Sequence, residues 1–166
     1  MMEWNNPAMI SALDQAAISI TTKESLMDQD LEFQEYDAFV KHLETTYPLM
    51  FAGQYGGIEC AAGWWPIIAS LCASIQHHID WKNQQSQPVP QVTVTQIKEK
   101  FGGLRFYYDG GDDEIRGMVR MAESMSGVTC EECGNSGTTG GQGWLVTLCE
   151  THRTAREERQ LIKQGF

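Results

Sequence analysis

The sequence predicts an α+β fold in which helices pack on a small antiparallel hairpin, followed by a C-terminal treble-clef-like zinc finger. Three observations favour this fold. Apolar residues recur at helical spacing in several segments, and two short β-rich segments are separated by a glycine-containing turn. The last forty or so residues hold cysteines and a histidine at the spacing of zinc ligands. At 166 residues, the chain has the length of one domain carrying a small metal-bound extension.

The N-terminal part is predicted to be helical and acidic. Residues 7–18 and Leu31–Thr46 each carry an apolar stripe with helical period, and Pro48 ends the second helix. Residues 1–50 hold nine acidic side chains and two lysines. We therefore predict three regions that pack as one compact unit: an acidic helical region at 1–50, an α+β core at 51–128, and a zinc finger with its helix at 129–166.

The central region is predicted to contain two helices and a hairpin. The first helix begins near Pro66 and ends before Asn83, with a buried stripe of Ile68, Leu71, Cys72, Ile75 and Ile79. Strands are predicted over Val92–Ile97 and Leu104–Tyr108. Asp112 is placed to cap the second helix and Gly127 to end it. That helix has a predicted buried stripe of Ile115, Met118, Val119, Ala122 and Met125.

Charge and composition limit the classes of function. The net charge of −10 makes the chain a poor general binder of nucleic acid, because phosphates are neutralised by Lys and Arg. The charge serves solubility, or it forms an acidic surface that meets a basic partner or imitates nucleic acid. Neither a membrane-length apolar run nor a basic segment before an apolar N-terminal stretch is present. We therefore expect a cytoplasmic protein.

The clearest motif is Cys130-x2-Cys133-x15-Cys149-x2-His152. A C-x2-C turn supplies two zinc ligands, and residues three apart at the start of a helix supply two more on one side. Residues 137–143 are predicted to form a loop and Trp144–Leu148 a strand that leads back to the site. Because protein side chains provide all four ligands, we predict one structural Zn²⁺ per chain.

From about Gly57 onward, the sequence is similar to a family of small uncharacterised proteins of bacteriophages, prophages and bacteria. The resemblance covers about two-thirds of the chain. It is carried by Cys60, Gly63-Trp64, Ile97–Tyr107, Ala122-Glu123, Ser126, Cys130-Glu131, Cys133-Gly134, Gly143-Trp144, Thr147-Leu148-Cys149 and His152. It implies a phage origin and brings no established activity.

Other side chains are candidates for partner contact. They are the hairpin residues Lys98, Lys100, Phe101 and Arg105 and the C-terminal residues Arg153 and Arg156. The alternatives are an ordinary hairpin with a core strand and a solvated helix face. His77 and His78 point in different directions on a helix, so we expect a solvent-facing or helix-end role. Cys60 and Cys72 are interpreted as core residues.

The leading hypothesis is a non-enzymatic phage accessory protein that binds a host protein and inhibits an antiphage defence system. The alternative is a nucleic-acid-binding module that uses Lys98, Lys100, Arg105 and the final helix. A third hypothesis is a hydrolase that assembles Glu59, His77 or His78, and Asp112. Motifs of common hydrolases and nucleotide-binding proteins are absent from the sequence.

Overall fold

A computed structural model describes residues 35–141 and 143–163, and the helix predicted over residues 7–18 lies outside them. The chain divides between Phe39 and Val40 into two compact units. The boundaries predicted after residues 50 and 128 remain predictions. All strands and pockets described below lie in the second unit.

Four helices occur in the described part of the chain: α1 over residues 35–46, α2 at Trp65–Gln84, α3 at Asp113–Ser126 and α4 at Glu150–Lys163. A short 3-10 turn, Ala62–Trp64, precedes α2. The predicted end of α2 before Asn83 is wrong by two residues. Asn83 stays helical and its side chain accepts a hydrogen bond from the backbone N–H of Val89, which closes the following loop.

The main sheet has three strands in the order β1 (Ile58–Glu59), β2 (Thr93–Lys100) and β3 (Gly103–Asp109). The antiparallel β2–β3 pair is the predicted hairpin. β1 runs parallel to β2 and extends the sheet. The sequence did not predict β1, because two residues are too few to show the alternation of a strand.

A second sheet pairs β4 (Thr138–Gly140) with β5 (Val146–Leu148). The loop predicted over residues 137–143 is therefore partly wrong. β4 contains only Thr and Gly, so no apolar alternation marks it, and its conformation comes from antiparallel pairing with β5. The strand predicted from Trp144 begins two residues later, and Trp144 remains 67% exposed.

The core is formed by buried side chains of α2, α3 and the main sheet, and α3 packs against both α2 and β3. The predicted buried stripe of α2 is confirmed in full. On α3, Ile115, Val119 and Ala122 are buried and Met118 is half-buried, but Met125 is 48% exposed. Ser126 takes the buried position at the end of α3, where its hydroxyl accepts from the Leu104 N–H and donates to the Glu123 carbonyl.

Within the described residues, no helix has both the length and the apolarity needed to cross a bilayer.

Candidate metal centre

The first two candidate ligands lie on a tight turn that follows α3. The N–H of Gly134 donates to the carbonyl of Cys130 at 2.9 Å, and the N–H of Cys130 donates to Asn135 O at 2.7 Å. Gly134 has φ +75°, a conformation that glycine adopts without strain. These bonds turn the chain so that Cys130 and Cys133 point to one place.

The second pair comes from the start of α4. Cys149 directly precedes the helix and His152 lies in its first turn. The N–H of Arg153 donates to Cys149 O at 2.9 Å, which fixes that turn. As predicted, residues three apart at this position face the same side.

All four ligand atoms converge. The Cys133 and Cys149 sulfurs are 3.8 Å apart, and His152 Nδ1 is 3.2 Å from Cys149 Sγ and 3.5 Å from Cys130 Sγ. Every ligand atom in the set lies within 4.8 Å of the others. These four side chains could therefore hold one metal ion, with Nδ1 as the histidine ligand.

Two thiols of this cluster, Cys130 and Cys133, have pKa values shifted in opposite directions. Burial raises the pKa of Cys130, but backbone N–H groups of Cys149, Cys133 and Glu132 outweigh burial and bring it to about 7. The backbone N–H of Asn135 lowers the pKa of Cys133, but desolvation and the neighbouring Cys130 and Cys149 leave it above its ordinary value. Cys130 and Cys133 lie so close together that ionisation of both thiols is disfavoured unless a cation joins them.

The turn that carries Cys130 is attached to the core at the 3-10 turn before α2. The N–H of Gly63 donates to Glu131 O at 2.7 Å. Trp64, fully buried, donates from Nε1 to Thr129 O at 2.8 Å. The N–H of Ala61 donates to the Glu131 carboxylate at 3.2 Å. Hydrogen bonds therefore join the segment that carries the first candidate ligand to the residues just before α2.

A second attachment joins the small β4–β5 sheet to the β2–β3 turn. Thr147, which is fully buried, donates to the carbonyl of Gly102. Its hydroxyl also lies 2.6 Å from that of Thr139. Loss of order in β4–β5 would therefore also release the hairpin turn.

The predicted contact residues form two separate sets. Lys98, Lys100, Phe101 and Arg105 lie on the β2–β3 hairpin, where Leu104 and Phe106 form the core side. The alternative of a hairpin turn with a core strand describes only one face of β3, where Leu104 and Phe106 are buried. The remaining positions present a cationic and aromatic surface.

Arg153 and Arg156 line a groove between the β4–β5 sheet and α4. Nη2 of Arg153 donates to Thr138 O and Leu148 O, so this guanidinium supports the small sheet. The groove has a volume of about 590 Å³ and is lined by Gly141, Trp144, Val146, Arg153, Arg156, Glu157, Gln160 and Leu161. We call it the finger groove.

The expectation for His78 is wrong. His77 is exposed, but His78 is only 6% exposed, and its Nε2 lies 2.9 Å from Asp112 Oδ2. Its Nδ1 lies 3.3 Å from Glu114 Oε2, and Lys82 pairs with the same carboxylate at 2.9 Å. The cluster ties α2 to the first turn of α3.

The grouping proposed for a hydrolase is only half assembled. His78 and Asp112 are in contact, whereas Glu59 lies on β1 and accepts from Gln96 at 3.4 Å. The side chains of His78, Asp112 and Glu114 also lie close enough together to hold a metal ion. Lys82 Nζ already pairs with Glu114 at 2.9 Å, so a lysine supplies positive charge to these carboxylates, and we interpret the group as an ion-pair cluster.

Asp112 links this cluster to the helix cap. Its Oδ1 accepts from the Ile115 N–H at 3.0 Å, as predicted for a cap. Burial raises the pKa of Asp112, but hydrogen bonds from His78 and the Ile115 N–H outweigh it, so the pKa lies below its ordinary value. The ionised Asp112 carboxylate therefore stabilises the folded state fully above the unfolded-state pKa of about 3.9. This contribution is lost as the pH falls through the lower folded-state pKa.

Replacing Asp112 by Asn keeps a good capping side chain and removes the charge. We expect Asp112→Asn to lower the free energy of unfolding by about 1 kcal/mol at pH 7. The difference from wild type should shrink as the pH falls below about 4. Urea unfolding across this pH range measures it.

Asp113→Asn is the matched control, because Asp113 is exposed and forms a surface ion pair with the exposed Arg116. Such surface pairs contribute little to stability. An equal loss in Asp113→Asn, or a difference that persists unchanged to pH 3, would contradict the role given to Asp112.

Cys60 and Cys72 lie outside the metal cluster. Cys72 is fully buried in the core, as predicted, and Cys60 is half-buried. Burial raises the pKa of each thiol to about 12, and for Cys60 the nearby Glu131 adds to the rise. Both are protonated at neutral pH and poor nucleophiles.

Comparison of the chain with known protein families, curated proteins and solved structures finds no match. The phage family and the treble-clef class therefore remain predictions. The order of elements observed here is a cysteine turn, a two-stranded sheet and a helix whose first turn carries a ligand.

Proposed function

We propose that Zn²⁺ occupies the Cys130, Cys133, Cys149 and His152 site and has a structural role. A tetrahedral zinc ion with bonds of about 2.3 Å to sulfur and 2.0 Å to nitrogen places two sulfurs about 3.8 Å apart and sulfur and nitrogen about 3.5 Å apart. The separations of 3.8, 3.5 and 3.2 Å agree with this geometry. With four protein ligands, a tetrahedral ion has no position left for water or substrate.

We further propose that the chain is a non-enzymatic phage accessory protein that binds a host protein and inhibits an antiphage defence system. The sequence resemblance supports the phage origin. The closed ligand set supports a structural metal, and the inert Cys60 and Cys72 thiols offer no nucleophile.

The finger groove carries the proposal of a protein partner. Trp144 and Leu161 in its walls are 67% and 53% exposed. Exposed apolar side chains grouped in a groove mark an interaction surface. Trp and Arg are among the residue types that contribute most to protein–protein affinity. The groove contains both, as Trp144 and Arg156.

Affinity capture from lysate of the bacterial host tests this proposal. We expect one stoichiometric host protein, which is then purified and titrated against the variants. The double variant Trp144→Ala/Leu161→Ala should lower affinity at least tenfold, because central apolar anchors contribute 2 kcal/mol or more. Trp81→Ala is the control, since Trp81 is a 50% exposed tryptophan on α2 that does not line the groove.

Equal affinity of both variants would contradict the finger groove as the docking surface. Absence of any captured protein from a susceptible host would contradict the host-protein partner itself.

A further inference from the structure

The outer face of the β2–β3 hairpin is distinct from the finger groove. Cross-strand register pairs Lys98 with Arg105 and Gln96 with Tyr107. Paired residues share a face of the sheet. The intervening Ile97 and Phe106 pair is buried in the core, so Lys98, Arg105 and Tyr107 occupy the outer face.

This face carries two cation–aromatic pairs. Lys98 Nζ lies 5.5 Å from the centre of the Tyr107 ring, and Lys100 Nζ lies 5.4 Å from that of Phe101. Tyr107 is 40% exposed and Phe101 is 70% exposed. Each pair thus offers one ring and one ammonium group to solvent.

Phe101 is held outward by its backbone. Its φ of +56° is uncommon for a bulky residue. The turn is fixed because the Gly102 N–H donates to Glu99 Oε1 at 2.6 Å and Gly102 O accepts from Thr147. A strained backbone that places a large apolar ring in solvent is a feature expected at a binding site.

The local charge favours an anionic ligand. Within the described residues, Lys98, Lys100 and Arg105 form no ion pair with a carboxylate. Glu59 is the acidic neighbour on β1, where it pairs in register with Lys98 and accepts from Gln96. The net negative charge of the chain comes mostly from residues 1–50. Lys100 therefore faces solvent beside the two aromatic rings, and Lys98 and Arg105 are half-buried next to them, with Nη1 of Arg105 donating to Leu104 O at 2.7 Å.

We propose that this hairpin face binds single-stranded nucleic acid, independently of the host-protein interaction at the finger groove. Bases stack on Phe101 and Tyr107, while Lys98, Lys100 and Arg105 contact the phosphates. A duplex hides the faces of its bases, and an acidic peptide satisfies the cations without stacking on the rings. The two pairs, Lys98 with Tyr107 and Lys100 with Phe101, match two nucleotides of a single strand, because each nucleotide offers one base and one phosphate.

Fluorescence anisotropy of the full-length protein with labelled oligo(dT) and oligo(U) of about 12 nucleotides tests the proposal. We expect both single strands to bind, and a duplex of equal length to bind at least tenfold more weakly. Three phosphate contacts predict a slope of log K against log salt of about −2. The two oligonucleotides distinguish a preference for DNA from one for RNA.

Phe101→Ala is the most informative variant, because truncating an exposed ring leaves the core intact. We expect about a tenfold loss of affinity and an unchanged salt slope. Lys98→Ala/Arg105→Ala should reduce the slope to about −0.7. Arg120→Ala, which removes an exposed cation from α3, is the control and should leave both affinity and slope unchanged.

Three results would overturn the proposal. They are absence of single-strand binding at low salt, equal affinity for Phe101→Ala and wild type, and binding of a polyglutamate peptide as tight as that of oligo(dT). The last result would assign the face to an acidic protein segment. The finger-groove variants should bind oligo(dT) normally, so the two proposals fail separately.

Discussion

Replacement of Cys133 by serine is expected to unfold the C-terminal module that is formed by β4, β5 and the first turn of α4. Cys133 is exposed, so the substitution buries no new polar group, and its expected effect is the loss of one ligand of the proposed zinc ion. Structural zinc contributes on the order of 10 kcal/mol of apparent binding free energy in small modules. We expect the free energy of unfolding to fall by roughly 3 kcal/mol or more, measured by urea unfolding.

Hydrogen exchange locates the effect. Protection should be lost in β4–β5 and then at the β2–β3 turn, because Thr147 joins the two through Gly102. Chelation of wild-type protein should give the same pattern. Cys60→Ala is the control, since Cys60 lies outside the cluster. If chelation left exchange in β4–β5 unchanged, the structural role of the metal would be wrong.

Gly63→Ala is expected to separate the turn that carries Cys130 and Cys133 from the core. A Cβ atom at Gly63 would lie within 3.0 Å of the backbone atoms Cys130 O, Glu131 O and Gly134 N, closer than real Cβ atoms approach. Backbone cannot move aside as a flexible side chain can, and the 2.7 Å bond from Gly63 N to Glu131 O would be strained. We expect destabilisation by about 3 kcal/mol in thermal or urea unfolding.

Gly117→Ala is the matched control, because a Cβ there meets nothing within 4 Å. Gly117 lies within α3, where alanine is favoured over glycine by up to about 1 kcal/mol. Gly63→Ala should therefore lower the free energy of unfolding, and Gly117→Ala should raise it. If Gly63→Ala were as stable as wild type, the contact between the 3-10 turn and the turn that carries Cys130 would not be needed for stability.

Local patterns in the sequence predicted most of the candidate metal centre. The C-x2-C turn and the Cys149–His152 spacing are each set by a few neighbouring residues, so their geometry follows from sequence separation. The Asp112 cap and the buried stripe of α2 are local in the same sense. The sequence does not predict which ring nitrogen of His152 faces the cysteines, because that depends on the three-dimensional arrangement; in the structure it is Nδ1.

Long-range contacts explain what the sequence did not predict. The environment of His78 depends on how α2 packs against α3, since its partner Asp112 is 34 residues away in the chain. β1 is recognised only through its pairing with β2. The finger groove combines Trp144 with residues of α4. None of these arrangements leaves a periodic or spacing signal in the sequence.

The metal content of the purified protein tests the central claim most directly. Native mass spectrometry of wild type, Cys60→Ala and Cys133→Ser measures it, with elemental analysis to identify the metal. We predict one zinc ion per chain in wild type and in Cys60→Ala, and loss of most of the zinc from Cys133→Ser. Wild-type protein that folds without metal, or Cys133→Ser that retains a full equivalent of zinc, would contradict a structural zinc site at these four residues.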